Sequence, residues 1–568
     1  MSKERVVVLK FGSSVLRSES DLPAVVHEIY RWWRDGNPVI AVVSAFGNTT
    51  DDLTRRAHGV CSEPDESLLA ALLATGEAAS SALLGLALNR SGIPAAVLDA
   101  EQAGLTTIGR KLDADLTSVD AVNLRAALQR GVVVLPGFVG RSESGETTLL
   151  GRGGSDLTAL FIAQRLGGRC RLIKDVDGLY TSDPNVRDGR VAKRYTQASY
   201  ETAGEVGGAV VQLKAINFSE GHRLRFEVSS IGSTRATEIG PFADQVSVAE
   251  EQLKPLRVAL LGCGTVGAGV YHRLAALPEL FQVVGVGTRN VDRAIHEDIP
   301  VRLMTTHLDV LVQEPVDVVI ELLGGIEPAR SLIRKSLQLG RAVVTANKAL
   351  LSSEVNELET LASINGTSIR FSAAVCGVAP ALETIKRIRT TSSITQFTGV
   401  LNGTTNFVLD EIASGVSLCE AIASAQARGY AEANPQFDLD GTDAAQKLIL
   451  IAREAFGVNL PFNEISRNGI ENLSTNNSRP VRLLADCRRT ETRLEASVGP
   501  VELDTDHPLA SVSGVDNRLL IHSANGRVWS VSGRGAGRWP TAEAVVADLI
   551  DLRTESVAEL VEEEECVA

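Results

Sequence analysis

A glycine-rich turn sits in the middle of this 568-residue chain: Val258-Ala-Leu-Leu-Gly-Cys-Gly-Thr-Val-Gly267 runs from an apolar strand into a helical stretch, Ala268 to Leu277. Gly262 permits the tight turn, Gly264 lets a pyrophosphate approach the backbone, and Gly267 lets the helix pack closely with its N-terminus facing the phosphate charge. A plain strand-to-helix turn can use the same glycines, so it is the strand before and the helix after that point to a dinucleotide. About half of the chain precedes this turn. The sequence therefore predicts two catalytic or binding units joined in one polypeptide.

A chain of this length divides into two to four domains, each large enough to bury most of its surface. Hydrophobic residues make up 44% and charged residues 22%, an ordinary globular balance. The apolar runs read as too short, and too broken by glycine and charge, to span a bilayer. A net charge of −14 argues against a nucleic-acid partner, which needs a basic face. The seven cysteines, Cys61, Cys170, Cys263, Cys376, Cys419, Cys487 and Cys566, stand singly and read as reduced thiols in the cytoplasm. The opening Met1-Ser-Lys-Glu-Arg5 leads straight into a strand, so no signal peptide is expected. Eight histidines without ligand spacing give no zinc pattern.

Short β-branched runs at Val6 to Leu9, Val39 to Val43, Ala95 to Leu98, Val132 to Leu135 and Arg171 to Lys174 alternate with helical stretches. The helices are expected at Leu22 to Arg34, Ser67 to Asn89, Val119 to Gln129 and Ser155 to Leu166, the last capped by Ser155. This pattern is a parallel α/β domain. A polar stretch with Pro241 and Pro255 reads as a linker. A second βαβ series then starts at Arg257 and continues through Phe281 to Val286, Val316 to Leu322 and Ala342 to Thr345. After about residue 370 strands and helices mix, as in a catalytic domain grafted on a dinucleotide fold. The acidic tail Val561-Glu-Glu-Glu-Glu565 reads as a solvated helix end.

Further motifs follow the glycine turn: Glu321-Leu-Leu-Gly-Gly-Ile-Glu-Pro-Ala-Arg330, Val344-Thr-Ala-Asn-Lys-Ala-Leu-Leu351, Leu401-Asn-Gly-Thr-Thr-Asn406, Gly429-Tyr-Ala-Glu-Ala-Asn-Pro435, Asp440-Gly-Thr-Asp-Ala-Ala-Gln-Lys-Leu448 and Gly535-Ala-Gly-Arg-Trp-Pro-Thr-Ala542. In combination they resemble homoserine dehydrogenase over nearly all of residues 256 to 553. The resemblance implies a Rossmann unit with an α+β substrate and dimerisation domain, and a return to the nucleotide fold at the end. It implies nucleotide contacts from Gly262, Gly264, Thr265, Val266, Gly267, Thr345 and Lys348, and substrate binding by Glu432.

Hydride delivery to an aldehyde makes an alkoxide, which a nearby cation stabilises and protonates. Asp443 and Lys447, four apart on a helix, project from one face. Read alone they are more readily a solvated ion pair; with the resemblance, Lys447 becomes the proton donor and Asp443 holds it or the substrate. Lys348 follows an apolar strand at the carboxyl end, where ligands bind in open α/β sheets; alone, it also reads as a surface lysine. Glu432 can equally favour a helix start. After the strand Phe281 to Gly287, Thr288-Arg-Asn290 stands where a ribose-reading carboxylate serves NAD, so Arg289 can pair with a 2′-phosphate and NADP is expected, with NAD usable; Arg289 equally reads as merely solvent-facing. Ser372 stands where the family often has Glu, and Val378 interrupts its glycine-rich turn. Both argue against the monovalent-cation site of relatives. Asn434 replaces an expected Asp.

The first half carries Gly151-Arg-Gly-Gly-Ser-Asp156 and Asp175-Val-Asp-Gly-Leu-Tyr-Thr-Ser-Asp-Pro184. Over about residues 5 to 240 it resembles aspartate kinase, with the amino-acid-kinase fold of a largely parallel sheet between helices. Phosphoryl transfer to a carboxylate needs cations and backbone N–H groups around the phosphates. Lys10, before Phe11-Gly-Ser-Ser14, suits that role, Arg152 offers a fork for the substrate α-carboxylate, and Glu77 can take its ammonium group. The resemblance adds Thr50 and Ser155 to the aspartate site, gives Asp156 an organising role, and lays Asp177, Tyr180 and Asp183 along ATP, which binds with Mg²⁺. Without the resemblance the Asp-rich segment reads as a turn-rich loop. Departures are the missing second glycine after Lys10, Asp51 in place of Asn, Lys174 in place of a Thr, and Val210 where the family has a nucleotide-contacting lysine. Lys10 or Lys214 are the candidates to replace it.

The expected organisation is a kinase-like domain over 1–240, a linker over 241–255, a Rossmann domain over 256–370, a catalytic and dimerisation domain over 371–535, and a return segment with the acidic tail over 536–568. The resemblances imply a cytoplasmic homodimer or homotetramer that phosphorylates L-aspartate and reduces L-aspartate 4-semialdehyde to L-homoserine. Its partners are small molecules, with neither nucleic acid nor membrane. The alternative is a dehydrogenase with a silent kinase-like sensor or assembly domain. No paired amino-acid-sensing module fits between the halves or after Leu552, so weak or absent threonine and lysine inhibition is expected.

Overall fold

The computed structural model describes residues 5–183, 192–208, 210–247, 254–432, 434–471, 473 and 479–567, with side chains as far as Glu555 in the last helix. Met1 to Glu4, Pro184, Ala209, residues 248–253 of the expected linker and the side chains of the acidic tail lie outside the described residues. Contacts divide the chain into two compact units, 1–90 with 94–253, and 91–93 with 254–568.

The first unit is built on a nine-stranded sheet among the described residues. From edge to edge its strands are Gln245–Val246, Tyr195–Ala198, Thr237–Ile239, Phe226–Ser230, Arg169–Lys174, Val7–Phe11, Val39–Val43, Val132–Pro136 and Ala95–Val97. The central strands are parallel, and Val7–Phe11, Val39–Val43 and Val132–Pro136 are buried along their whole length. Continuous β-branched runs of this kind are what a sheet covered on both faces requires. The sheet reaches Gln245–Val246, inside the stretch expected as linker.

Two features of this unit depart from the sequence reading. A four-stranded sheet of Asp113–Ser118, Thr106–Arg110, Val139–Ser142 and Thr147–Leu149 was not anticipated, because its strands are short and the first two are largely exposed and rich in Thr and Asp. The helix Glu66–Arg90 is long and apolar enough to cross a membrane by length and composition, against the expectation that every apolar run is too short. Its Ala70 and Leu73 belong to the unit's core, and its face carrying Gly76, Glu77, Ser80 and Ser81 is buried, as in a core helix of an α/β fold.

The second unit holds a six-stranded parallel sheet in the order Met304–Thr305, Phe281–Gly287, Leu256–Leu261, Val318–Glu321, Ala342–Thr345 and Ile369–Arg370. Numbered along the chain this is 3-2-1-4-5-6, the order that leaves a ligand crevice where the first and fourth strands diverge. A second six-stranded sheet, Ser466–Arg467, Leu494–Glu502, Val481–Arg489, Ile394–Val400, Asp516–Ser523 and Val528–Arg534, is antiparallel apart from its first pair. The helix Thr442–Phe456 is buried along most of its length between other elements of this part. The final helix, Arg538–Val567, packs on Thr265–Ala275, the helix that follows the glycine turn.

Candidate active sites

At the end of the strand Leu256–Leu261, Gly262 has φ +105°, and a Cβ there would lie 2.6 Å from the carbonyl oxygen of Leu322 on the neighbouring strand's exit. A Cβ on Gly267 would lie 1.9 Å from the Gly262 carbonyl oxygen, so glycine is the residue that lets helix and turn meet here. Gly264, the residue before Thr265–Ala275, has open space around it. Gly264 and Thr265 are exposed while Val266 is half-buried, so the backbone N–H groups of the first helical turn are accessible to a pyrophosphate. These residues fit a dinucleotide.

Thr288 is buried after the strand Phe281–Gly287, and Arg289 is exposed beside it. Asn290 caps the next helix by accepting from the Arg293 N–H at 2.9 Å. The Arg293 guanidinium, which the sequence reading missed, reaches back to donate to Thr265 Oγ1 at 2.8 Å. Thr345 is buried and donates to Glu321 at 2.6 Å, so its hydroxyl serves the end of the sheet. Burial raises the Glu321 carboxyl above its ordinary range.

Asp443 joins two lysines that arrive from different elements. One oxygen lies 2.9 Å from Lys348 Nζ, at the start of the helix Lys348–Ile364, and the other 2.8 Å from Lys447 Nζ, one turn along its own helix. Asp443 and Lys447 are buried, whereas the Lys348 side chain is 39% exposed. Burial alone would push the Asp443 carboxyl up, but the two ammonium groups hold it well below the usual range. The charge of Asp443 in turn raises Lys348. Lys447 also donates to the Leu401 carbonyl at 2.7 Å, which leaves one of its three N–H donors uncommitted to these partners. The reading of the Asp443–Lys447 pair as a solvated ion pair does not survive this arrangement, while Lys348, though paired with Asp443, stays partly exposed.

Two further residues complete the cluster and went unrecognised in the sequence. Asn402, from the Leu401–Asn406 motif, donates to Asp443 at 2.8 Å and to Asp438 at 2.7 Å. Asp438 is raised by burial and by the Asp443 charge. Glu432 is exposed and outside any helix, so it starts none; its charge acts on Lys348. Asn434 is exposed nearby in sequence. Ser372 donates its backbone N–H to Asp548 at 2.9 Å, and Val378 is buried. Among the described residues no group of three or more His, Cys, Asp or Glu side chains could hold a metal.

In the first unit Lys10 leaves the end of Val7–Phe11 and curls back over Gly12, where a Cβ would lie 2.8 Å from Nζ. Lys10 Nζ is 2.6 Å from one Asp156 oxygen, and Lys174 Nζ is 2.9 Å from the other. All three are buried. Burial lowers Lys10 to about 8 despite Asp156. Asp156 would be pushed up by burial, yet the two lysines hold it below the ordinary range.

Asp156 and Ser155 lie in the first turn of the helix Gly154–Leu166, which is preceded by Gly153 at φ +80° without a side-chain cap. Ser155 is therefore not the cap: the turn needs a left-handed residue there, which glycine supplies. Arg152 is exposed on the loop just before. Glu77 accepts from the Ala45 N–H at 3.4 Å, its other oxygen has no hydrogen-bond partner among the described residues, and burial pushes it up to about 7. Thr50 is half-buried in the first turn of Thr49–Val60, whose Thr49 lies against Gly76, next to Glu77. Tyr180 donates to Asp177 at 2.6 Å, and Asp183 is exposed. Lys214 is committed elsewhere, to Asp113 at 2.8 Å and the Leu150 carbonyl at 2.9 Å, so it buttresses the loop before Arg152. Val210 packs against the core.

The profile described as homoserine dehydrogenase matches residues 380–550, that described as homoserine dehydrogenase, NAD binding domain, matches 262–372, and that of the amino acid kinase family matches 5–225. Homoserine dehydrogenases of Synechocystis sp. and Pseudomonas aeruginosa are each 35% identical, over 316 and 315 residues, spanning 52% and 53% of this chain and 73% of each relative. A homoserine dehydrogenase structure from Thiobacillus denitrificans, 35% identical, superposes with a TM-score of 0.52, covering 54% of this chain and 74% of that one. The chain belongs to the homoserine dehydrogenase family and bears an amino acid kinase domain ahead of it, the domain content of a bifunctional aspartate kinase and homoserine dehydrogenase.

Proposed function

We propose that the chain carries out two separate steps: NADPH-dependent reduction of L-aspartate 4-semialdehyde to L-homoserine in the second unit, and ATP-dependent phosphorylation of L-aspartate in the first. The steps are not consecutive. The acyl phosphate made by the first must be reduced by another enzyme before the second can act.

The observation that carries the dehydrogenase reading is the Lys348–Asp443–Lys447 bridge. A bound nicotinamide supplies the hydride. Lys447 gives the proton to the new alkoxide oxygen, Lys348 places a second positive charge at that oxygen, and Asp443 holds both ammonium groups in place. Glu432 takes the substrate ammonium group, and Asn402 ties Asp438 to the cluster. The glycine turn holds the pyrophosphate. Arg289, with Arg293 beside it, favours NADP through a 2′-phosphate. A cytoplasmic setting and a homodimer or homotetramer follow the family.

In the first unit Lys10 neutralises the transferred phosphoryl group, Arg152 grips the α-carboxylate and Glu77 the ammonium group of aspartate, with Thr50 and Ser155 lining the same site. Asp177, Tyr180 and Asp183 lie along the nucleotide, which brings Mg²⁺ with it.

One preparation tests both halves. NADPH, then NADH, is followed at 340 nm with the semialdehyde, and aspartate with MgATP is followed by trapping the acyl phosphate with hydroxylamine. Reduction without hydroxamate would leave the first unit a silent domain; no reduction with either nucleotide would overturn the dehydrogenase assignment.

A further inference from the structure

The strands Val7–Phe11 and Arg169–Lys174 run side by side in parallel, with Lys10 opposite Leu172. Side chains alternate along a strand, so Lys174, two residues after Leu172, emerges on the same face as Lys10. Both lie at the carboxyl ends of their strands. The helix Gly154–Leu166 packs on these two strands and brings Asp156 between the two ammonium groups, at 2.6 Å from Lys10 and 2.9 Å from Lys174. The exposures of Lys10, Lys174 and Asp156 are 5%, 9% and 3%.

Two ammonium groups on one carboxylate leave this buried cluster with an excess positive charge. Burying an uncompensated charge is costly, so such a cluster calls for an anion. A 13-residue helix begins beside it, with Gly153 and Gly154 before Ser155, and its N-terminal N–H groups add to the same field. Neither Val210 nor Lys214 contributes: Val210 is apolar and packed on the core, and Lys214 is held by Asp113, Ala114 and Leu150.

We propose that Lys174 is the second phosphate-binding cation of the kinase unit, acting with Lys10 on the transferred phosphoryl group while Asp156 keeps the two ammonium groups in place. This rests on the phosphoryl-transfer reading of that unit. As the bond from the aspartate carboxylate oxygen to phosphorus forms, the bond from phosphorus to the β–γ bridging oxygen breaks and ADP leaves with the electron pair. Lys174 gives up no proton; its charge offsets that developing on the phosphoryl and bridging oxygens. A Thr at 174 would leave Lys10 as the only ammonium group on Asp156.

The test uses the full chain with Lys174→Met and Lys174→Arg. Three quantities are measured: hydroxamate formation with its pH profile, MgADP affinity by titration calorimetry, and the dehydrogenase rate as a control for folding. Lys174→Met should lower kinase kcat by about 100-fold or more and weaken MgADP by about 10-fold, the scale of losing one charged donor in a phosphate site. Its remaining activity should persist to higher pH than in the wild type, because the Lys174 charge disfavours protonated Lys10. Lys174→Arg should restore nucleotide affinity. The dehydrogenase rate should stay unchanged in both variants. A wild type that binds MgADP without forming hydroxamate, and loses that binding in Lys174→Met, would refute the kinase reading and keep the phosphate role. Lys174→Met with unaltered kinase rate and MgADP affinity, or a wild type that binds no MgADP, would overturn the proposal.

Discussion

Lys447 places its ammonium group 2.8 Å from the Asp443 carboxylate one helical turn away, and both side chains are only 7% exposed. Removing Lys447 leaves Lys348 on that carboxylate but takes away the ammonium group assigned to the alkoxide. Lys447→Ala should lower dehydrogenase kcat by about 1,000-fold, the scale of a lost general acid with its charge, while hydroxamate formation stays as in the wild type. Parallel loss of both activities would mean misfolding instead.

Asp443 itself is a different case. Its removal strands two ammonium groups, one of them fully enclosed, so Asp443→Ala should destabilise the second unit by about 3–5 kcal/mol as well as abolish reduction. Chemical denaturation followed by the fluorescence of Trp529 and Trp539 measures this.

Arg152 stands exposed on its loop, so its substitution should spare the fold. Arg152→Ala should cut kinase kcat/KM for aspartate by about 100-fold, mainly through KM, as expected for a lost bidentate contact with a carboxylate. NADPH oxidation should be unaffected.

The kinase unit should show a bell-shaped pH profile in kcat/KM. Glu77, pushed up to about 7, must lose its proton to hold the substrate ammonium, and Lys10, lowered to about 8, must keep its proton to face the phosphate. Activity should rise as pH passes through about 7 and fall as it passes through about 8. Glu77→Gln should remove the acid limb. Glu77 also retains in the folded state a proton that the unfolded chain has lost, from its ordinary 4.5 up to about 7. Stability should therefore decline as pH rises through that window, a decline that Glu77→Gln abolishes.

Gly267 abuts the Gly262 carbonyl so closely that a methyl group would lie 1.9 Å from backbone oxygen. Backbone cannot swing aside as a side chain can. Gly267→Ala should weaken NADPH binding by about 10-fold or more through the displaced turn, measured by quenching of protein fluorescence, with hydroxamate formation unchanged.

Much of this was legible in the sequence where local pattern and tertiary demand coincide. The buried strand Val39–Val43 was placed residue for residue, because a strand covered on both faces is written in uninterrupted apolar residues. The pairing of Asp443 with Lys447 followed from helical spacing. Asp443 meeting Lys348, and Asp156 meeting Lys174, did not, since strand register and helix packing bring them together across long stretches of chain. Asn402 and Asp438 were overlooked for the same reason: their part is defined by a shared hydrogen bond rather than by any local pattern. Ser155 was misread as a cap because its chemistry suits one, while the geometry of that turn required Gly153.

The closing helix has a consequence for how the second unit is born. Ala542, Val545, Val546 and Leu549 are fully enclosed, Trp539 stacks its ring 4.8 Å from the Arg273 guanidinium carbon, and Arg538 crosses Gly269 to reach Glu297 at 2.6 Å. The helix that packs on Thr265–Ala275 is thus translated about 260 residues after it, from 275 to 538. While the ribosome is still reading the substrate domain, the nascent nucleotide fold lacks this cover and exposes sticky surface. Premature stops before Arg538 should yield chaperone-bound or aggregated fragments rather than a trimmed enzyme.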